Sequence, residues 1–445
     1  MIQRKALEYL KEWKNKANRK PLVLRGARQV GKSTLVEEFS KEFPVYLKLN
    51  LEKPNDRELF NQYEDIDSLL RAIYMHNRKE IEDLPTLLFI DEIQFSTKAI
   101  ALLRYFYEEA NHIYIIAAGS LLESLLNIEH ISFPVGRVEY FPIRPCSFLE
   151  FLDGIGEDFD KKLVESLNAD PVHDRIISLF REYTLVGDMP EAIVEYSKNR
   201  DILSLRTIYD SLLTAYIDDS EKYAENNNLT NIIRHCLSVG WMHAAEAISF
   251  EGFGGSNFKS REVGIALRAL QKAFILELVY PVSNTQLPIF QNFRKKPKLF
   301  WLDTGIVNFA SKIQHDVFSV KDIQDVYRGK IAEHIVGQEL LCIDNSVLGN
   351  RHFWRRDKSG SDAEIDFVYL YKRDIIPIEV KSGNNSKLKS LHMFMDNSSS
   401  NYALRVWSGR LSIDKVTTKN GKEFNLINIP FYYICVLDKV LDSII

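Results

Sequence analysis

Four cysteines in 445 residues, Cys146, Cys236, Cys342 and Cys435, stand far apart and form no C-x-x-C pair. That scarcity argues against a disulfide framework or a zinc site and fits a reducing compartment. No apolar run approaches the ~20 residues needed to span a bilayer. The opening MIQRKALEYL carries charge where a secretion signal would be apolar. A cytoplasmic chain with no membrane partner is expected. An excess of positive charge is missing as well. The net charge is −4, so the whole molecule is not a basic nucleic-acid binder, and any such contact must come from local patches. Internal repeats and low-complexity tracts are absent. The chain is 45% hydrophobic and 27% charged, as a globular protein would be. Its length is too great for one core, so two to three domains are expected.

What is present centres on GARQVGKST, residues Gly26, Ala27, Arg28, Gln29, Val30, Gly31, Lys32, Ser33 and Thr34. This is the phosphate-binding pattern G-x-x-x-x-G-K-[ST]. The apolar run PLVL before it reads as a buried parallel strand, and Ser33–Phe39 reads as the start of a helix. Strand, glycine-rich turn and helix N-terminus together gather backbone N–H groups and the positive helix end around a polyphosphate. Lys32 is expected to reach the β- and γ-phosphates of ATP, and Ser33 to hold Mg²⁺.

Further on, TLLFIDEIQ is an apolar strand ending in Asp91 and Glu92. Asp91 is placed to hold the Mg²⁺ shell, and Glu92 to polarise the attacking water. A third strand, IYIIAA, ends at Gly119 and Ser120. Ser120 either orients the water or simply caps a helix.

The motifs GARQVGKST, LLFIDEIQ, AAGSLL and FPVGRVEYFPIRPCSFLEFL resemble those of AAA-type P-loop ATPases. The resemblance is closest to a prokaryotic branch fused to a C-terminal domain of unknown function. It implies that Arg137, in Val135-Gly136-Arg137, is a candidate finger for a neighbour's site and hence a homo-oligomer. A surface arginine in a turn is the alternative. Thr is usual before the sensor glycine in this family, whereas this chain has Ala118.

The middle of the chain reads as helices and then a winged-helix pattern. Gly187-Asp188-Met189-Pro190-Glu191 is a turn opening a helix and resembles the family's G-x-x-P-E motif, with a structural role expected. Ser260 is placed to cap a helix over Arg261–Phe274. Val263, Leu267, Leu270 and Phe274 share one face of it, and Arg261, Arg268 and Lys272 the other. Ile275–Val282 and Pro297–Leu302 would be wing strands, with Arg294, Lys295, Lys296 and Lys298 clustered as a basic turn. Such a face suits DNA, although any solvated helix can show one.

The tail carries a second constellation. A helix over Tyr327–Leu341 contains Glu333. AEIDFVY alternates, with Ile365 and Phe367 to one side and Glu364 and Asp366 to the other. IIPIEVK puts Glu379 and Lys381 on one face, and a helix follows from about Leu388. The ordered set Glu333, Asp366, Glu379, Lys381 resembles the PD-(D/E)xK pattern of restriction-endonuclease-like and Holliday-resolvase-like nucleases. The resemblance implies that the three carboxylates hold Mg²⁺ or Mn²⁺ and that Lys381 orients the water or offsets developing charge.

The expected architecture is α/β. An AAA-type P-loop ATPase domain fills 1–145, a helical lid or hub 146–229, a winged-helix-like region 230–315 and a nuclease-like α/β domain 322–445. The expected function is Mg²⁺-dependent ATP hydrolysis coupled to DNA binding and cleavage. The competing expectation is an ATP-operated switch whose tail only binds a partner or DNA.

Overall fold

A computed structural model of the protein describes residues 2–119, 133–224, 226–312, 329–344, 346, 351–357, 363–381 and 388–445. Ser120 lies outside the described residues, as do Tyr327 and Arg328 at the start of the expected tail helix.

Five short strands make the first sheet: β1 (Leu22–Arg25), β2 (Val45–Asn50), β3 (Thr86–Asp91), β4 (Tyr114–Ala118) and β5 (Glu139–Pro142). All pairings are parallel, in the order β2-β3-β4-β1-β5. The central strands β3, β4 and β1 are apolar on both sides, whereas the edge strand β2 alternates buried and half-buried residues. Leu22 and Leu24 point into the larger core, and Val23 into a second core with Leu88, Ile90 and Ala117. Because β1 and β3 run the same way, the phosphate loop and Asp91 emerge at the same end of the sheet.

The middle is helical from Phe148 to Val239 with short breaks. Ser147 and Glu150 form a capping box that starts its first helix. The helix expected over Arg261–Phe274 spans Ser260–Lys272, and Lys259 rather than Ser260 is its N-cap residue. Phe274 adopts left-handed backbone (φ 61°) beyond its end. Val263, Leu267 and Leu270 are buried, while Arg261, Arg268 and Lys272 are exposed. β6 (Leu276–Val279) and β8 (Lys298–Trp301) pair antiparallel.

The expected break between this region and the tail is bridged. β7 (Pro281–Val282) leaves the hairpin and pairs with β9 (His352–Arg355) in the tail's sheet. That sheet also holds β10 (Glu364–Tyr371), β11 (Asp374–Val380), β12 (Tyr402–Trp407), β13 (Ser412–Thr417) and β14 (Glu423–Pro430), in the order β13-β14-β12-β11-β10-β9-β7. The helix Lys330–Ile343 shares the larger core with Phe367, Ile376 and Ile378. The helix Lys389–Asn397 packs on the opposite face with Ile365 and Val368. Ile365 and Phe367 were expected on one side. An irregularity in the β9–β10 register between Ile365 and Val368 breaks the alternation, as a bulge does, and sends them to different cores.

Among the described residues no helix is long and apolar enough to cross a membrane. The four cysteines are free thiols.

The helical middle and the tail meet at Glu339, which is fully buried. It accepts hydrogen bonds from the Tyr183 hydroxyl (2.6 Å) and the Phe148 amide (3.0 Å). Burial pushes its carboxyl up to about 7, against that hydrogen bonding. A folded pKa above the ordinary 4.5 means the folded state binds more protons than the unfolded chain between the two values. Stability therefore falls as pH rises through that window, by about 3 kcal/mol for this group. Glu339→Gln should flatten the pH dependence of denaturant stability between about pH 4.5 and 7 by roughly one proton. An unchanged slope would show that Glu339 is ionised throughout.

Candidate functional site

At the phosphate loop, the chain leaves β1 and turns through Gly31, whose φ is 89°, a left-handed value that glycine adopts without penalty. The helix Lys32–Phe39 then begins. A Cβ at Gly31 would sit 3.5 Å from Arg4 Nη1 and 3.6 Å from Pro190 Cγ, so both pack over the loop. The Lys32 ammonium is buried and donates to the carbonyls of Gly26 (2.9 Å) and Ala27 (2.7 Å). Burial lowers its pKa to about 8, against the pull of Glu92 and Asp91. Ser33 Oγ lies 2.9 Å from Asp91 Oδ2. The two hard oxygen donors expected for Mg²⁺ are therefore adjacent. Glu92 has left-handed backbone, φ 51°, a strained state for a non-glycine residue of the kind that clusters at functional sites. Its carboxylate accepts from Gln94 Nε2.

Two contacts of this loop, one from Arg4 and one from Arg28, leave no trace in the sequence. Arg4 donates to Val30 O (3.0 Å), Glu150 Oε1 (3.1 Å) and Arg144 O (2.5 Å). Arg28 bonds Asp219 at 2.7 Å, tying the loop to the helical middle. Both are ion pairs across many residues, which carry no local sequence signal. Arg137 lies just before β5, whose first residue pairs with Leu22 at the start of β1. It is therefore at the end of the sheet opposite its own phosphate loop. Its Nε donates to Glu108 Oε1 at 2.7 Å.

In the tail, Asp366 and Glu379 face each other across β10 and β11, one step beyond the Phe367–Ile378 pair. Asp366 Oδ2 accepts from the Val380 amide at 2.7 Å. Lys381 Nζ lies 2.5 Å from Glu379 Oε1. Glu379 Oε2 is buried with no hydrogen-bond partner among the described residues. Burial, then Asp366, pushes the Glu379 carboxyl up to about 7.

Lys298 was placed in a basic surface turn, and the structure overturns that. It is buried, with Nζ 2.5 Å from Glu333, 2.7 Å from Glu364 and 4.0 Å from Asp366. Burial opposes its charge, but those carboxylates outweigh it and raise its pKa. Every residue of β8 is buried, Lys298 included, which its basic neighbours in sequence conceal. Glu333, expected as a metal ligand, faces this lysine. Among the described residues no group of three or more His, Cys, Asp or Glu side chains is arranged to hold a metal ion.

Residues 18–152 match the family model described as AAA domain. Residues 177–317 and 328–432 match two models, each described as a domain of unknown function, DUF8612 and DUF4143. A Walker-type ATPase of Pyrococcus abyssi is similar at 14% identity and a TM-score of 0.44, over 70% of this chain and 96% of that one. The Thermotoga maritima RuvB Holliday junction branch migration motor is similar at 13% identity and a TM-score of 0.30, over 66% of this chain and 93% of that one. No curated protein matches the chain. Together with the parallel sheet and the GKS loop, the family match at residues 18–152 makes this part of the chain an AAA-type P-loop ATPase domain.

Proposed function

We propose that the chain hydrolyses ATP with Mg²⁺ and couples this to metal-dependent cleavage of DNA by its tail, in the cytoplasm and as a homo-oligomer. At the ATPase site Lys32 binds phosphate, Ser33 and Asp91 hold Mg²⁺, and Glu92 positions water. Arg137 lies at the end of the sheet opposite its own loop, which suits a finger offered to a neighbour. The observation that carries the cleavage reading is the pairing of Asp366 with Glu379 across β10 and β11, with Lys381 beside them. The orphaned, buried Glu379 Oε2 is a hard oxygen that a divalent cation would satisfy. The residues thus fit a cation held by Asp366 and Glu379, with Glu333 retained as the partner of Lys298. Such an ion would supply Lewis acidity at a scissile phosphate. Lys381 would orient the water, and Lys298 would offset charge developing on the phosphate. The exposed Arg261, Arg268 and Lys272 face would contact DNA phosphates.

The second reading, an ATP-operated switch with a tail that only binds, is favoured by Lys298 itself, which already neutralises Glu333 and Glu364.

Lys32→Ala should abolish ATP turnover. Glu92→Gln should bind ATP but turn over about 10²–10⁴-fold more slowly, the usual contribution of a general base. Wild-type turnover per subunit should rise with protein concentration, and Arg137→Ala should stay slow throughout. A Glu92→Gln protein at the wild-type rate, or turnover flat down to monomeric concentrations, would remove these assignments.

Replacing Arg261, Arg268 and Lys272 with Ala should weaken DNA binding and reduce the salt slope by about 0.9 per lost phosphate contact. Binding isotherms at several salt concentrations read this directly, and an unchanged slope means the face is only solvated.

Asp366→Ala and Glu379→Ala should abolish Mg²⁺- or Mn²⁺-dependent cleavage of plasmid, single-stranded or branched DNA while ATP turnover survives. Lys381→Ala should slow cleavage with metal affinity kept. If wild type cleaves none of these substrates with either metal, the switch reading replaces this one.

A further inference from the structure

A cavity of about 170 Å³ opens where three parts of the chain meet. Arg25 and Ala27 line it from β1 and the phosphate loop. Arg144 comes from the segment after β5, Lys272 and Glu277 from the helix and hairpin of the middle, and Arg351 from the tail. Four of these six are cationic. Among the described residues that line it, Glu277 is the one carboxylate.

Arg144 and Arg351 are built into the fold, whereas Lys272 reaches the cavity from an exposed helix face. The Arg351 side chain is 4% exposed. It donates to Gly337 O at 2.9 Å and to Glu277. Arg144 donates to Ser346 O at 3.1 Å. The Nε groups of both Arg144 and Arg351 are buried with no hydrogen-bond partner among the described residues. The Arg144 guanidinium lies 5.7 Å from the centre of the Phe274 ring and that of Arg351 4.8 Å from the centre of the Phe300 ring. Buried donors without acceptors are costly unless something compensates them. Burial, then the nearby charge of Arg351 against that of Glu277, leaves the Arg144 guanidinium less firmly protonated than usual.

We propose that this cavity binds a phosphate group. Planar guanidiniums that hold donors in a fixed fork match phosphate oxygens in pairs. The volume is below the roughly 300–1,000 Å³ of pockets that enclose drug-sized ligands, so it suits the phosphate end of a ligand rather than a whole nucleotide. The site is distinct from the phosphate loop, since its donors are Arg144, Lys272 and Arg351 rather than Lys32 and the loop amides. It adjoins that loop through Arg25 and Ala27.

Titration of the full chain with inorganic phosphate, read by calorimetry and by the rise in melting temperature that a folded-state ligand causes, tests this. Binding should persist in Lys32→Ala, which disables the phosphate loop. It should weaken about tenfold in Arg144→Gln, the loss expected for one charge-assisted hydrogen bond. Lys272→Gln, on an exposed helix face, should weaken it too, which keeps the test decisive if Arg144→Gln fails to fold. The source of the group is read by competition. A 5′-phosphorylated oligonucleotide that displaces phosphate where its 5′-hydroxyl counterpart does not marks a nucleic-acid end. Displacement by glycerol phosphate alone marks a small phosphomonoester. Phosphate binding that vanishes in Lys32→Ala, or that is equal in wild type and both cavity variants, overturns the proposal.

Discussion

The buried carboxylate of Asp303 ties the turn at Asp188 and Met189 to the start of the helix at Ile306, and the elements on either side of it lead to the nucleotide loop and to the tail. It is fully buried and accepts hydrogen bonds from the amides of Asp188 (2.6 Å) and Met189 (3.2 Å) at one oxygen and from Ile306 at the other. A buried carboxylate is tolerated only with such donors, and each charge-assisted bond contributes about 1.5–3 kcal/mol. The turn held this way has no room for a side chain at Gly187, where a Cβ would lie 2.5 Å from Asp303 Oδ2 and 2.7 Å from the Gly305 amide. Three residues later Pro190 packs over Gly31 of the phosphate loop. Five residues before Asp303, Lys298 enters the carboxylate cluster of the tail. A short, rigid path of backbone and one carboxylate therefore runs from the nucleotide site to the tail.

Charge burial follows the same logic at both sites. Lys32 is lowered by burial to about 8, and Glu379 is raised by burial to about 7. Each is a charged group whose ordinary solvation has been replaced by fixed neighbours, the condition under which electrostatics acts most strongly. Lys298 shows the structural counterpart. With its carboxylates it makes a compensated cluster, in which removing one partner leaves an uncompensated buried charge at a cost of about 3–5 kcal/mol.

Much of this was legible in the chain. The phosphate loop, the strand ending in Asp91 and Glu92, and the order of helix and strands in the tail are local patterns. Each is set by glycine at a tight turn, by apolar runs, or by alternation. The face of the Ser260–Lys272 helix was equally plain from its spacing. What misled was also local. Lys298 follows Arg294, Lys295 and Lys296 in sequence and reads as one more surface cation, and Phe367 reads as a partner of Ile365.

The sequence by itself determined the element types, the ATPase motif and the residues facing one another across β10 and β11, because each depends on neighbours a few positions away. Tertiary structure decided the partners of Lys298, Asp303, Arg4, Arg28 and Glu339. Those pairs join residues far apart along the chain, and no period records such a meeting. It also decided that the wing region and the tail share a sheet through β7, and that a bulge in β10 sends Phe367 and Ile365 to opposite cores. Burial of charge is the physical reason. A lysine or aspartate is placed by which opposite charge or amide the fold brings to it, and that is known only once the chain has closed on itself.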